Sequence, residues 1–318
     1  MVAHGFANHR ELSDDGAHFR VSARQTKQMN IARIGEESYL LGESPIWDPR
    51  DAVLYFVDSL GCAILRHDPE TGLTRRWNID CEYLGSMALR EDGGAILVMD
   101  DGFHSFDFET GDTMVITEPE AGQDDLCFND CKVDRQGRLV AGSMHTGSSE
   151  PVGSIYRLDA NLGCTRLDGG MVCANGPCWS PDGGTLYVSD SYGDAIFAYD
   201  YDITSGDTSN RRTFLSTAGS GGYPDGGTVD AEGYVWSAHF DGGCIRRISP
   251  QGEVERVIEL PIRWVASMTF GGADHDVLYV TTIGGEYDGA RDESPQAGGL
   301  FAIHDLGIRG LAENRFVG

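Results

Sequence analysis

The sequence lacks any apolar run approaching the roughly 20 residues that a membrane-spanning helix needs. Its first residues, MVAHGFANHRELSDDGAHFR, lack the apolar core of a signal peptide. Together these two absences predict a soluble, cytoplasmic protein with no membrane partner. Basic residues are scarce: 24 Lys+Arg stand against 50 Asp+Glu, a formal charge of −26 over 318 residues. Nucleic acid and anionic membrane surfaces are therefore poor partners, because binding a polyanion relies on clustered Lys and Arg that release counterions. Cationic or neutral ligands and metal ions stay open. The excess of carboxylates also fits a salt-rich habitat or plain solubility, since most carboxylates on a soluble protein face water. None of the 8 cysteines (62, 81, 127, 131, 164, 173, 178 and 244) belongs to a C-x-x-C pair, and their spacing is too scattered for a zinc-finger-type site. A chain this long buries a core without staples, so most of these thiols are expected as small buried hydrophobes.

Apolar stretches of helical period are nearly absent, and glycine is abundant, with 43 in the chain. What is present is a phrase repeated six times: a short apolar stretch, a turn with Asp and Gly, a strand-like run, another turn and a second strand-like run. ESPIWDPRDAVLYFVDSLGCAILRHDPETG (43–72) is the first copy and NGPCWSPDGGTLYVSDSYGDAIFAYDYD, from Asn175, the fourth. Starts at 43, 85, 129, 175, 225 and 265 give steps of 42, 44, 46, 50 and 40 residues, the length of one four-stranded sheet. The spacing predicts an all-β, six-bladed β-propeller over residues 34–318 with four-stranded blades around a central channel. Residues 1–33 read as a polar, flexible amino-terminal extension, one part of which could instead form a strand closing the last blade.

Aligning the copies on their first strand places Glu43, Gly85, Asn129, Asn175, Asp225 and Val265 at one level. First strands line a propeller's channel, so these positions form a ring. Four of the six carry oxygen donors, the set a hard or borderline divalent cation requires. Asn and Asp at strand starts also serve as turn residues that cap their own backbone. Their common register, their absence at Gly85 and Val265, and the two carboxylates that would otherwise repel in a narrow channel favour a metal-binding channel.

The phrases LGESPIWD (41–48), FNDCKVDRQGRLVAGSM (128–144), ANGPCWSPDGGTLYVSDS (174–191) and YPDGGTVDAEGYVW (223–236) resemble the gluconolactonase, regucalcin (senescence marker protein) and luciferin-regenerating family of six-bladed propellers. The resemblance covers about residues 34–311 and several independent motifs in family order. It implies one divalent metal held by Glu43, Asn175 and Asp225, with Asn129 contacting substrate or a metal-bound water. The implied activity is metal-dependent hydrolysis of a sugar lactone, an aldonolactone opened to its sugar acid. All-oxygen donors suit Ca2+, Mg2+ or Mn2+, and Zn2+ or Fe2+ also tolerates such a shell. The chain departs from the family at Cys127, where many members carry Arg, and at Cys131, where N-D-G is usual; losing a guanidinium removes five donors and a fixed charge from the pocket.

A bound cation would polarise the ring-ester carbonyl and lower the pKa of a water, and a base must then take the proton. Asp225 is the candidate for both ligand and catalytic proton acceptor; Glu43 is chiefly a ligand. Asn175 supplies a neutral oxygen, and Asn129 hydrogen-bonds sugar hydroxyls or carbonyl. His145, on a loop after a strand, is a candidate substrate contact, although a lone loop histidine is more often simply solvated. Cys127 reads as a pocket-lining thiol rather than a nucleophile, having no activating His beside it in sequence. Tyr223 could wall the pocket or pack between blades. Trp47, Trp179 and Trp236 read as inter-blade core. Hydrolysis of another ester or an organophosphate at the same metal, and a non-catalytic calcium-binding propeller, are the alternatives.

Overall fold

The computed structural model describes residues 29–286 and 289–318. Runs of β-branched and aromatic residues between Gly and Asp turns form strands throughout: among the described residues, 24 strands make six four-stranded antiparallel sheets and there is no helix. No helix is therefore long and apolar enough to cross a membrane among these residues. Blades 1 to 5 follow the chain in order over residues 42–78, 84–117, 126–171, 174–216 and 223–259. Blade 6 takes three strands from residues 265–304 and its outer strand from near the chain's start: Asn30–Ile34 pairs antiparallel with Leu300–His304. The propeller thus begins at Asn30, inside the segment expected as an extension, while residues 1–28 of that segment lie outside the described residues.

The core sits between blades. Trp47 of blade 1 stacks on Tyr279 of blade 6 at 5.5 Å, and Trp236 of blade 5 meets Phe270 of blade 6 edge-on at 5.4 Å. Trp179 packs in one cluster with Val140 and Ile155 of blade 3. All three indoles serve the inter-blade role their repeat positions suggest. At the far ends of the inner strands, Asp48, Asp134 and Asp230 are buried and paired with Arg315, Arg138 and Arg247 at 2.6–2.8 Å.

Every inner strand carries a β-bulge at the ring level, one extra residue against its neighbour. The register runs from Glu43↔Val57 to Ile46↔Tyr55, and from Asn175↔Ser189 to Cys178↔Tyr187. A bulge bends its strand and re-aims a side chain, which here turns the ring residues off the sheet and toward the axis. Ser44 and Gly176, the residues after Glu43 and Asn175, have φ of 48° and 51°. Glycine is required at 176, where a Cβ would stand 2.6 Å from the Asp225 carbonyl oxygen. It is required also at the ring position Gly85, where a Cβ would stand 2.5 Å from the carbonyl oxygen of Asn129. Blade 2 gives up a donor so that its neighbour's backbone can approach.

The carboxyl-terminal segment after His304 crosses the opposite end of the channel. Phe316 donates its N–H to the carbonyl of Leu89 and accepts one from Glu91, and Val317 donates to Gly137. Glu313 meets the buried Lys132 ammonium at 2.9 Å, and Lys132 also donates to the Gly227 carbonyl at 3.0 Å.

Candidate active site

At the ring end lies a cavity of about 140 Å³. Glu43, Asn175 and Asp225 line it together, brought from blades 1, 4 and 5. Asn129 stands directly behind the wall: its amide nitrogen donates to Asn175 Oδ1 at 2.6 Å and to the Ala174 carbonyl at 3.2 Å, and its Oδ1 accepts from the Tyr83 hydroxyl at 2.9 Å. Asn175 Nδ2 donates to Ser191 Oγ at 2.8 Å, and Ser191 donates on to the Pro224 carbonyl at 2.6 Å. A chain of hydrogen bonds from Tyr83 to Pro224 therefore holds both amides in place across blades 2 to 5.

Burial pushes the Glu43 carboxyl well above its ordinary range, helped by the neighbouring Asp225 and Asp130. Asp225 is raised well above its own for the same reason, burial first and Asp130 second. Asp130, beside Asn129, is raised by burial, with Lys132 opposing the shift. Its two oxygens accept the backbone N–H of Gly176 at 3.0 Å and of Cys131 at 2.8 Å, so it braces blade 3 against blade 4. Among the described residues no Lys, Arg or His lines the cavity. Two buried carboxylates with an amide between them and no basic side chain on the wall fit a divalent cation. No group of three or more His, Cys, Asp and Glu converges as a metal cluster among the described residues, and the third protein donor of this set is the Asn175 amide.

Cys127 pairs with the lining residue Met144, and His145 lies between the lining residues Met144 and Thr146. Cys127 is buried and does not line the cavity; burial, then Asp100 and Glu120, push its thiol up to about 12, so it is a neutral thiol. His145 does not line the cavity either. Its Nδ1 accepts from the backbone N–H groups of Ser149 and Glu150 at 3.3 and 3.4 Å, turning the ring onto its own loop. Tyr223 backs the wall, its ring 5.1 Å from that of Tyr192 and 6.4 Å from that of Phe240, both of which line the cavity. Sequence reasoning missed Tyr83, Ser191 and Asp130. Asp130 was within reach, being adjacent to Asn129 in a repeat already aligned on the ring; Tyr83 was also within reach, standing two residues before the ring level as Tyr223 does, and Ser191 repeats the Asp-Ser pair of Asp58 and Ser59 in the first copy.

Comparisons with known proteins bear on the family and the fold. The SMP-30/Gluconolactonase/LRE-like region matches residues 41–284. The chain is 34% identical over 297 residues to a regucalcin of Xenopus laevis, covering 91% of this chain and 99% of the relative. It is 35% identical over 282 residues to a 6-deoxy-6-sulfogluconolactonase of Pseudomonas putida, covering 88% and 96%. Its fold is similar to the crystal structure of a calcium-binding protein, regucalcin, from Agrobacterium tumefaciens, with a TM-score of 0.82 at 25% identity, covering 89% and 96%. With the ring, the bulged inner strands and most of the repeat region inside the matched span, this chain belongs to the SMP-30/gluconolactonase/LRE-like family.

Proposed function

We propose that this protein is a metal-dependent hydrolase that opens a sugar lactone to the corresponding sugar acid. The observation that carries the reading is the convergence of Glu43, Asn175 and Asp225 on one small cavity with Asn129 tied behind them. Lactonases among its relatives support the lactone as substrate, and a relative described as calcium-binding supports Ca2+ among the candidates Ca2+, Zn2+, Mn2+, Mg2+ and Fe2+.

Glu43, Asn175 and Asp225 would hold the ion. When bound, it supplies Lewis acidity to the ester carbonyl and acidity to a water. Glu43 and Asp225 bring two negative charges that offset its own, while the neutral Asn175 oxygen keeps that acidity from being quenched. Asp225 accepts the proton of the attacking water and returns it to the leaving ring oxygen. Asn129, its amide fixed by Tyr83 and Asn175, orients the substrate through those two partners.

The test is hydrolysis of five- and six-membered aldonolactones followed with a pH indicator, after subtraction of spontaneous opening. Chelator-stripped protein should be inactive and regain activity with a single divalent metal. Asp225→Asn should lower kcat/KM by about 10²-fold or more. If every lactone opens at the background rate with metal bound, the sugar-lactone reading is wrong, and other esters or a non-catalytic calcium-binding role take its place.

A further inference from the structure

The cavity has two unlike halves. Its floor is the oxygen set of Glu43, Asn175 and Asp225. On the side of blades 5, 6 and 1 its wall is a continuous hydrocarbon surface, Leu41, Phe240 and Ile283, packed in one cluster with Trp264 and Ala266 behind. Leu41 and Ile283 bridge across the seam between blades 1 and 6, and the Phe240 ring lies 5.5 Å from that of Trp264. Met144 and Cys173, with their sulfurs 3.5 Å apart, add soft apolar surface on the opposite side. Several lining hydroxyl hydrogens are already donated inside the protein: that of Tyr83 to Asn129, that of Ser191 to Pro224 and that of Thr146 to Asp125.

Such a cavity selects by polarity. A substrate hydroxyl seated against Leu41, Phe240 and Ile283 loses its water and gains no partner, whereas a methyl group gains there, about fourfold in affinity per buried methylene. An exocyclic anion finds no basic side chain among the described lining residues, and a divalent cation on the floor only offsets Glu43 and Asp225. We propose that the preferred substrate is a neutral deoxy-sugar lactone, its secondary hydroxyls and ring ester toward the floor and its terminal methyl on the Leu41–Phe240–Ile283 wall. Hydroxymethyl and anionic termini are disfavoured.

This inference rests on the lactone reading above, so its test separates the two. Galactonolactone, its 6-deoxy counterpart fuconolactone and its 6-phosphate differ only at the terminus. With metal-loaded protein, kcat/KM should favour the deoxy lactone about tenfold or more over the parent, and the phosphate should open near background. Phe240→Ser and Leu41→Ser should each pull the deoxy-to-parent ratio toward one. Calorimetric binding of the unreactive lactams that match deoxy and parent lactones provides a readout free of chemistry, and the deoxy lactam should bind about tenfold tighter. Equal or better use of the parent or the phosphate, or equal binding of the two lactams, overturns the inference. If no lactone is opened but the deoxy lactam binds preferentially, the hydrolase reading fails while the polarity of the cavity stands.

Discussion

Asp225 and Glu43 would be unremarked on the surface, but inside the channel they stand within each other's field with burial against both. Their cost in the folded state is the residue-level reason to expect a cation between them. His239, on the second strand of blade 5, is a separate buried titratable group with a measurable consequence. Burial first, and Arg246 second, lower its pKa to about 3. The unfolded chain takes up that proton near the ordinary value of about 6.5, so between these values the unfolded state binds more protons and stability falls as pH falls. From about pH 7 to about pH 5, His239 should cost about 2 kcal/mol. His239→Phe should lose correspondingly less over the same interval, read from denaturant midpoints at both pH values; parallel losses in the two proteins would contradict the assignment.

At the scale of elements, the site is a property of bulged strands more than of single side chains. Each inner strand alternates as a strand should, yet the extra residue at the ring level turns the residues after it to the other face of the sheet. Gly176 makes this testable, because its φ of 51° and the Asp225 carbonyl oxygen 2.6 Å from any added Cβ leave no room for a methyl group. Gly176→Ala should cost about 1–3 kcal/mol and also depress activity by moving Asn175 and Asp225 apart. Thermal melting and lactonase rates on the same preparation check both effects. A stable variant of normal activity would mean that the bulge does not position the ring. The repeat spacing made the blades and their four-strand count legible, and a common level picked out Glu43, Asn129, Asn175 and Asp225. Bulges carry no compositional mark strong enough to read, so the same alignment could not say which ring residues reach the cavity and which, like Asn129, stand behind it.

At the scale of the molecule, closure comes from both ends of the chain. Asn30–Ile34 completes blade 6, and the segment after His304 lies across the end of the channel opposite the cavity. The Lys132–Glu313 pair joins that segment to blade 3 with both side chains largely buried. Glu313→Ala removes the stronger of the two carboxylate partners of the Lys132 ammonium, leaving Asp130, and should cost about 3 kcal/mol, part of which Lys132→Met in the same chain should restore. A double variant as unstable as the single one would show that the tail acts by packing alone. The net charge of −26 acts over the same scale: like charges repel most in the compact state, so raising salt from about 0.01 M to about 1 M should raise the melting temperature by screening. A flat or falling melting curve against salt would show that the surface carboxylates are locally neutralised.

The linear sequence by itself determined the blade. Strand, turn and repeat length are local properties, written in the alternation of β-branched residues with Gly and Asp, and six copies near 44 residues leave few architectures besides a propeller. It also determined the chemical type of the ring, since equivalent repeat positions must share one level around the axis. Only the tertiary structure decided which polar groups are joined and what faces them. The hydrogen bonds from Tyr83 through Asn129, Asn175 and Ser191 to the Pro224 carbonyl cross three blade boundaries, the Leu41–Phe240–Ile283 wall is assembled from three blades, and Cys127 and His145 do not line the cavity although the one pairs with Met144 and the other follows it in the chain. Such relations depend on how closely neighbouring blades approach and on where each strand bulges. Those are set by contacts between residues far apart in the chain, which no local pattern records.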